Sequence, residues 1–575
     1  MHESGKFMVK ILNHRRAVTG FFCGLVLVGL GIVMFPVPGF AQSVPGAISP
    51  GQIEKRFERP PESKQEVAPL IPELDSERSP PTAADVRFIL SGLVIEGVTA
   101  YDPSVFAPFY ENLLAREVSL VDLYEVARKI TQKYSEDGFL LSKAMVPAQR
   151  PDLGVLRIRV DEGYLENIIF EGEVKGSTAL LENYARKITE SHPLRAAVLE
   201  RYILLMNDLP GVFAKRRLVP LGRGDGAYNL IVTITQDTSY GFARIDNRGS
   251  RFSGPYQFWL GGGVNSALGL WDNTQARVIT VSETEELRFG DLSHSQVIGE
   301  EGTRLNLGAS FSRSEPGHTL APDRIRTEGK FASIGIEHPV LRSRSQDLFL
   351  GLSFSYLDSE RREFGVPNID DKIRVLRLNM RYGVVDGWGG RNNASVTVSR
   401  GLDVFDATHN GDALSSRAGA PHDFTKVVMD VSRYQQLSAR WGVLAAVAGQ
   451  RSATKLFLSE QYGFGGEYIG RAYDPSEISG DDALGGKIEV QWTSPQGGGF
   501  LSQHQYFAQY DYGATWFRSS AEDSTLSSLA AGVRFSMKGG YFASLEVAKP
   551  LTRPVDAMGL DGNDPRLFFV LSSNF

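Results

Sequence analysis

From about residue 239 to the C-terminus, apolar and polar residues alternate in segments of about ten residues. In RLNLGASFS the apolar residues Leu305, Leu307, Ala309 and Phe311 share one face, and the last segment, RLFFVLSSNF, ends on Phe575 in the same phase. Gly, Asn, Asp and Pro separate about fifteen such segments. A two-residue period of this length predicts β-strands with one apolar and one polar face.

Strands of this kind are typical of a transmembrane β-barrel, whose closure leaves no backbone group unpaired in lipid. All six tryptophans lie in this region, where a barrel needs aromatic girdles at the membrane interfaces. A large soluble β-sandwich or propeller would also alternate, but its strands are usually shorter. We therefore predict an all-β transmembrane barrel over residues 239–575.

Residues 86–238 show helical periodicity between short strands, in two tandem units with the order β-α-α-β-β. The units cover residues 86–162 and 163–238, and an element order that recurs after about 75 residues indicates an internal repeat. In the first unit Ser119 and Asp122 predict a helix cap, and Gly138 predicts the end of that helix. These residues predict two small α+β domains.

A leader precedes the repeats. Residues 42–60 predict one short helix, roughly Pro50 to Glu58, and residues 61–85 are a Pro-rich, charged linker that cannot form a core. Two interpretations remain open: a disordered leader with a nascent helix, or a mobile helix on a tether.

The first 41 residues predict a secretory signal peptide. Four basic residues precede the apolar run AVTGFFCGLVLVGLGIVMF, and Ala41 ends a cleavage region of small residues. The run is also long enough to be an uncleaved membrane anchor. Cys23, the only cysteine, lies inside this run, so the mature chain is expected to form no disulfide.

Charge and histidine content narrow the function. The net charge of −6 is spread along the chain, which predicts no nucleic-acid partner. The nine histidines are scattered, and no H-E-x-x-H or Ser-His-Asp ordering is supported. The sequence therefore predicts no enzyme, no cofactor and no metal.

One long loop carries the strongest candidate for a functional site. The segment of about residues 460–486 contains GFGGEYIGRAYDPSEISGDDALGG, in which Arg471 is the only cation among several carboxylates. A phosphate-binding loop would open a helix, whereas both flanks of this segment predict strands. Composition alone favours a solvated surface loop.

These features together resemble a known family, the outer-membrane transporters of two-partner secretion (TpsB; haemolysin and filamentous-haemagglutinin exporters). The family belongs to the superfamily of BamA-like barrel insertases. LLMNDLPGV is typical of the family's second POTRA domain, and DNRGSRFSG followed by NSALGLWD resembles the start of its barrel. The resemblance implies an N-terminal plug helix, two periplasmic POTRA domains and a barrel of about 16 antiparallel strands in the outer membrane of a Gram-negative bacterium.

The resemblance also gives the loop a role. In the superfamily the sixth extracellular loop folds into the barrel and carries a V-R-G-[YF] motif, and an aromatic-x-D-x-G motif lies on a neighbouring strand. The matching loop residues are Gly470, Arg471, Ala472 and Tyr473, and the matching strand residues are Asp511 and Gly513. We expect the Arg471 side chain to pair with Asp511 and so anchor the loop. Ala472 replaces the usual glycine, and alanine resists a positive φ.

The implied function is export of a large, unfolded partner protein of haemolysin or adhesin type. The partners it implies are that protein's N-terminal secretion domain, outer-membrane lipid, periplasmic chaperones and the barrel-assembly machinery. The alternatives are an assembly factor that inserts other barrels and a passive porin, although porins have no tandem periplasmic repeats. The client-binding candidates are Leu199, Tyr202, Met206 and Leu209, although residues at such helical spacing more often form the domain's own core. The plug-helix residues are Gln52, Ile53, Arg56 and Phe57.

Overall fold

The computed structural model describes residues 46–57, 79–150, 154–518 and 523–575. The predicted signal peptide and residues 61–78 of the predicted linker lie outside these ranges. Within the described ranges, no helix is long and apolar enough to cross a membrane.

The leader contributes one helix, and the first α+β unit follows it. The elements are α1 (Pro50–Phe57), β1 (Arg87–Ile89), β2 (Gly92–Glu96), β3 (Glu117–Ser119), α2 (Leu120–Glu136), β4 (Lys143–Met145) and β5 (Val155–Asp161). Strands β2, β5 and β4 form the sheet, and β1 pairs with β3. The predicted cap of α2 is present, because the Ser119 backbone N–H donates to Asp122 at 2.7 Å.

The predicted first helix of this unit is wrong. Two 3₁₀ segments, Pro103–Phe109 and Glu111–Leu113, stand in its place. Pro108 lies inside the first of them, and a proline inside an α-helix removes a hydrogen bond and clashes with the preceding turn.

The second unit follows the predicted order. Its elements are β6 (Tyr164–Glu171), α3 (Thr178–Thr189), α4 (Ala196–Asn207), β7 (Val212–Pro220) and β8 (Ala227–Gln236). The sheet order is β6-β8-β7, so β7 is an edge strand within the described residues.

Three of the four client-binding candidates belong to the core of this second unit. Leu199, Met206 and Leu209 are 2%, 0% and 1% exposed and pack among the unit's own strands and helices. The Tyr202 hydroxyl donates to Glu301 at 3.0 Å, in the turn that follows the fourth barrel strand. The prediction of a client-binding surface is therefore wrong for Leu199, Met206 and Leu209, because helical spacing selected the face of α4 that the domain buries. Tyr202 is only partly buried, and its predicted role stays a prediction.

Sixteen antiparallel strands form the closed barrel. They are β9 (Ser239–Asp246), β10 (Gln257–Asn265), β11 (Asp272–Val281), β12 (Arg288–Ile298), β13 (Thr303–Ser314), β14 (Arg326–Arg342), β15 (Gln346–Glu363), β16 (Val366–Val385), β17 (Arg391–Gly401), β18 (Thr425–Gln436), β19 (Trp441–Ser452), β22 (Asp482–Thr493), β23 (Leu501–Trp516), β24 (Asp523–Met537), β25 (Tyr541–Pro550) and β26 (Arg566–Asn574). The last strand, β26, pairs with the first, β9, which removes both sheet edges. The predicted fold class is confirmed.

The two-residue period places apolar side chains on the outer surface of the barrel. On β13, Leu307 and Phe311 are exposed, whereas Ser312 and Ser314 are buried on the other face. Two tryptophans depart from the predicted girdles. Trp259 packs edge-on against Phe57 of α1, and Trp271 is buried against the second α+β unit.

Candidate functional site

Helix α1 lies against the inner wall of the barrel. The Phe57 ring packs 5.0 Å from Trp259 and 4.9 Å from Phe289, measured between ring centroids. Ile53 joins the same apolar cluster and is 1% exposed. Because Trp259 and Phe289 belong to β10 and β12, the apolar face of the helix is buried on this side of the barrel.

Polar contacts hold the rest of the helix. The Gln52 amide donates to the Gln461 carbonyl at 2.9 Å, and the Arg56 guanidinium donates to the Arg248 carbonyl at 3.2 Å. From the wall, the Arg277 guanidinium donates to the Phe57 carbonyl at 2.8 Å and so satisfies a group at the end of the helix. All four predicted plug-helix residues, Gln52, Ile53, Arg56 and Phe57, therefore contact the barrel or its loop.

The loop between β19 and β22 folds into the barrel. It contains a two-stranded hairpin, β20 (Tyr462–Phe464) and β21 (Ile478–Gly480), and its tip lies between them. The tip side chains Ile469, Ala472 and Tyr473 are at most 2% exposed. A loop with buried side chains needs partners for its backbone, and the barrel wall supplies them.

Arg471 makes its ion pair with a residue that the sequence did not suggest. Its Nη1 atom lies 2.7 Å from Glu546 Oε2, on β25. Arg248 forms a second ion pair with the other oxygen of the same carboxylate. The Arg471 guanidinium also lies 5.1 Å from the centre of the Phe507 ring, within the range of a cation–π contact.

The prediction that the Arg471 side chain pairs with Asp511 is therefore wrong, because only the backbone N–H of Arg471 contacts this carboxylate. Asp511 holds the loop through the backbone, accepting the N–H groups of Gly470 at 3.0 Å and Arg471 at 3.3 Å. Ser528 Oγ also donates to this carboxylate, at 2.6 Å. Asp511 therefore holds the tip of the loop through backbone N–H groups, without the guanidinium.

The replacement of a glycine by Ala472 does not strain the tip. Gly470 has the positive φ, +90°, and Ala472 is not among the residues with positive φ in the described chain. A Cβ atom on Gly470 would also lie 2.9 Å from the Gly465 Cα. Gly470 therefore makes the turn, and Ala472 needs no special backbone conformation.

Gly513 has a steric role. It pairs across the sheet with Gly485, and a Cβ on either glycine would lie within 3.0 Å of the Phe464 ring. The two glycines form a slot in the barrel wall that receives this ring at the base of the tip. Tyr473, the last motif residue, donates from its hydroxyl to the Ser527 carbonyl at 3.2 Å.

Sequence reasoning missed Glu546, Arg248, Phe464 and Gly485. One signal could have found Glu546: it stands between Leu545 and Val547, which are 47% and 49% exposed on the lipid side. A carboxylate in the inward phase of such a strand must find a partner in the lumen.

Comparisons with known proteins agree with this geometry. A sequence profile of the family described as haemolysin secretion/activation protein ShlB/FhaC/HecB matches residues 229–535, and a profile of the ShlB-type POTRA domain matches residues 88–163. The heme/hemopexin transporter protein HuxB of Haemophilus influenzae (strain 86-028NP) is 23% identical over 466 residues, covering 78% of this chain and 81% of that protein. The outer membrane transporter CdiB of Dickeya dadantii (strain 3937) is 23% identical over 429 residues, covering 72% and 74%.

A solved structure supports the same fold. CdiB from Escherichia coli has a TM-score of 0.70 and 21% sequence identity, and the match covers 89% of this chain and 94% of that chain. The barrel and the matched domains define an outer-membrane β-barrel transporter with its POTRA domains in the periplasm. Because the first profile spans more than half of the sequence, the chain belongs to the haemolysin secretion/activation family ShlB/FhaC/HecB, the transporters of two-partner secretion. The loop that carries Arg471 thus leaves the barrel on the extracellular side.

Proposed function

We propose that this chain exports one large, unfolded partner protein of haemolysin or adhesin type from the periplasm to the cell surface. The observation that carries the proposal is the lumen, which holds helix α1 and the Arg471 loop, each bonded to the barrel wall and hydrogen-bonded to the other. The helix is joined to the first POTRA domain by a Pro-rich linker, so it can leave while remaining attached. Its departure would open a path beside the loop.

The periplasmic units offer a place for an extended client. Strand β7 pairs with β8 on one side only, within the described residues, and its Phe213 is 58% exposed. Lys215 and Arg217 are exposed on the same face of this edge strand. An incoming peptide can add to such an edge through main-chain hydrogen bonds, with limited demands on its own side chains.

The proposal includes two further kinds of partner. Periplasmic chaperones would keep the client unfolded, and the barrel-assembly machinery would insert this barrel into outer-membrane lipid. Folding of the client outside the cell would drive the transport.

The test is proteomics of culture supernatant and purified outer membrane from a strain that lacks this protein. We expect one very large secreted or surface protein to disappear while other barrels stay at their normal level. Complementation with the unmodified chain or with Arg451→Ala, a guanidinium that is 75% exposed, should restore it, whereas Arg471→Ala should not. Broad loss of many barrels would instead identify an assembly factor and contradict the proposal.

A second experiment tests the docking strand. A photo-crosslinking amino acid at Phe213 should trap the client, whereas the same group at Val264, exposed on the lipid face of β10, should not. Equal trapping at both positions would remove β7 from the proposal.

A further inference from the structure

The extracellular loop between β17 and β18, residues 402–424, brings together the side chains of Asp403, His409 and His422. One ligand atom from each lies within 4.8 Å of the other two, and among the described residues this is the only group of three such side chains with that spacing. We propose that these three residues bind a divalent transition-metal ion, foremost Zn²⁺.

The distances suit a single ion. The His409 Nε2 atom lies 3.1 Å from Asp403 Oδ1, and the His422 Nε2 atom lies 3.8 Å from Asp403 Oδ2. Metal–ligand bonds of about 2.1 Å in tetrahedral geometry place neighbouring ligand atoms roughly 3.4 Å apart. The two separations, one to each Asp403 oxygen, bracket this value, and the three ligand atoms lie within 4.8 Å of one another. Small side-chain rotations would therefore bring one Asp403 oxygen and both imidazoles to one ion.

One ring nitrogen of His422 is available to an ion. Its Nε2 atom lies 3.8 Å from Asp403 Oδ2, which is too far for a hydrogen bond. The other ring nitrogen, Nδ1, is buried without a hydrogen-bond partner among the described residues and lies on the opposite edge of the ring. A metal bond at Nε2 would therefore give the imidazole a partner on its Asp403 side.

The donor set selects the kind of ion. Two imidazoles and one carboxylate suit Zn²⁺ and its neighbours in the first transition row, whereas Ca²⁺ and Mg²⁺ prefer oxygen ligands throughout. Three protein ligands also leave a fourth tetrahedral position for water or an external group.

The position of the ligands in the loop gives the ion a structural effect. Asp403 follows the last residue of β17 by two positions and His422 precedes β18 by three, so the ion joins both ends of the loop to His409 in its middle. The same loop reaches the inward-folded loop, because Arg417 forms an ion pair with Asp481 and Ser416 Oγ accepts the Leu458 N–H at 3.2 Å. Binding would therefore order this extracellular loop and stabilise its contacts with the inward-folded loop.

Titration of Zn²⁺ into the full-length mature protein in detergent, purified without a histidine tag, tests the proposal. We expect one ion per chain by calorimetry, and d–d absorption of a low-symmetry site when Co²⁺ replaces Zn²⁺. Loss of even an outer partner of a metal ligand lowers affinity roughly 10–100-fold, so His409→Ala and Asp403→Asn should weaken binding at least that much. Asp403→His keeps a ligand and should retain binding.

The matched control is His318→Ala, since this histidine lies in another extracellular loop and packs against Phe252. Each variant is first shown to be folded by its heat-modifiable migration in gels. Absence of stoichiometric binding, undiminished binding by folded His409→Ala, or an equal loss in His318→Ala would each overturn the proposal.

Discussion

At the residue scale, two arginines share the Glu546 carboxylate on the inner wall of the barrel. The Arg471 and Glu546 side chains are 8% and 3% exposed, so water screens their interaction little. Arg248 completes the arrangement and also donates to the Arg471 carbonyl at 3.2 Å. Attraction in such a cluster is offset by desolvation, but removal of the shared carboxylate leaves two buried cations without a partner.

We therefore expect Glu546→Gln to lower the free energy of unfolding of the barrel by about 3–5 kcal/mol, the usual loss when one member of a buried pair is removed. The midpoint of urea unfolding, followed by gel migration of the folded form, measures the change. The control is Arg451→Ala, which removes from Asp482 a guanidinium that is 75% exposed; because Asp482 keeps its pair with Arg518, the change should cost at most about 1 kcal/mol. Equal losses in the two variants would show that the Glu546 cluster is solvated.

The slot for Phe464 gives a second prediction at this scale. Side chains at position 513 would meet the Phe464 ring, so Gly513→Val should lower the free energy of unfolding by roughly 1–3 kcal/mol through overpacking. The double variant Phe464→Ala, Gly513→Val should recover part of this loss, because the ring no longer fills the slot.

Gly498→Val is the matched control, since a Cβ there meets no atom within 4 Å. With Phe464→Ala alone as a further variant, the unfolding midpoints of the unmodified chain, the two single variants and the double variant give the coupling energy between positions 464 and 513. Strictly additive changes in the free energy of unfolding would show that Gly513 does not make room for the Phe464 ring.

At the element scale, helix α1 is too short to be stable by itself, because isolated helices of fewer than about 12 residues are marginal in water. Its eight residues gain their order from the lumen wall and the inward loop. Gly51 fits closely, since a Cβ at that position would lie 2.1 Å from the Ser459 Cβ. An element held by tertiary contacts alone can be released when those contacts are lost.

Deletion of residues 46–57 should therefore raise single-channel conductance in planar bilayers. Conversely, the variant Glu54→Cys, Ser310→Cys, joined by a short reducible thiol cross-linker, should hold the helix in place and keep conductance low. The two native side chains are in hydrogen-bond contact, which makes the site suitable. Glu54→Cys alone is the control. Conductance that does not change on deletion would contradict a plug.

At the scale of the whole molecule, the second α+β unit is fixed to the periplasmic turns of the barrel. Trp271 inserts between the two, and its indole N–H donates to the Ser177 carbonyl at 2.9 Å. Arg342 of β14 forms a bidentate pair with Asp208, at 2.7 and 2.9 Å. In the turn after β12, Glu301 accepts from Arg201 at 3.1 Å and also pairs with Lys187.

This junction should weaken in acid. Burial alone would raise the pKa of the Glu301 carboxyl, but hydrogen bonds from Lys187, Arg201 and Tyr202 outweigh it and hold the pKa below its usual range. A lowered pKa in the docked state contributes stability above the ordinary glutamate pKa of about 4.3, and that contribution is lost as the pH falls through the lowered value. The effect is modest because Glu301 is about one-third exposed.

Distances between spin labels at positions 190 and 437 would report the junction. We expect a broader distance distribution at acid pH, and Glu301→Gln should broaden it at neutral pH. Glu166→Gln, which removes an exposed pair with Arg223 inside the same unit, should have no effect. If the distance distribution of Glu301→Gln still broadens in acid as that of the unmodified chain does, groups other than Glu301 cause the pH dependence.

Local patterns determined the architecture of this protein. The period of two from residue 239 onward, the β-α-α-β-β order of the second unit and the Ser119–Asp122 cap all act between residues close in sequence, so the barrel strands and three of the helices could be predicted directly. The same patterns could not separate a helix face that binds a client from one that builds a core, and Leu199, Met206 and Leu209 proved to be core.

Only the tertiary structure decided the site. Arg471 and Glu546 are 75 residues apart, and Arg248 lies 223 residues before Arg471. Closure of the barrel brings their strands and loops together. No local sequence pattern indicates which inward-facing carboxylate an arginine will pair with. The motif therefore predicted that the loop lies in the lumen and that Asp511 anchors it. The three-dimensional structure shows that Asp511 accepts hydrogen bonds from the loop backbone, whereas Glu546 forms the ion pair with Arg471.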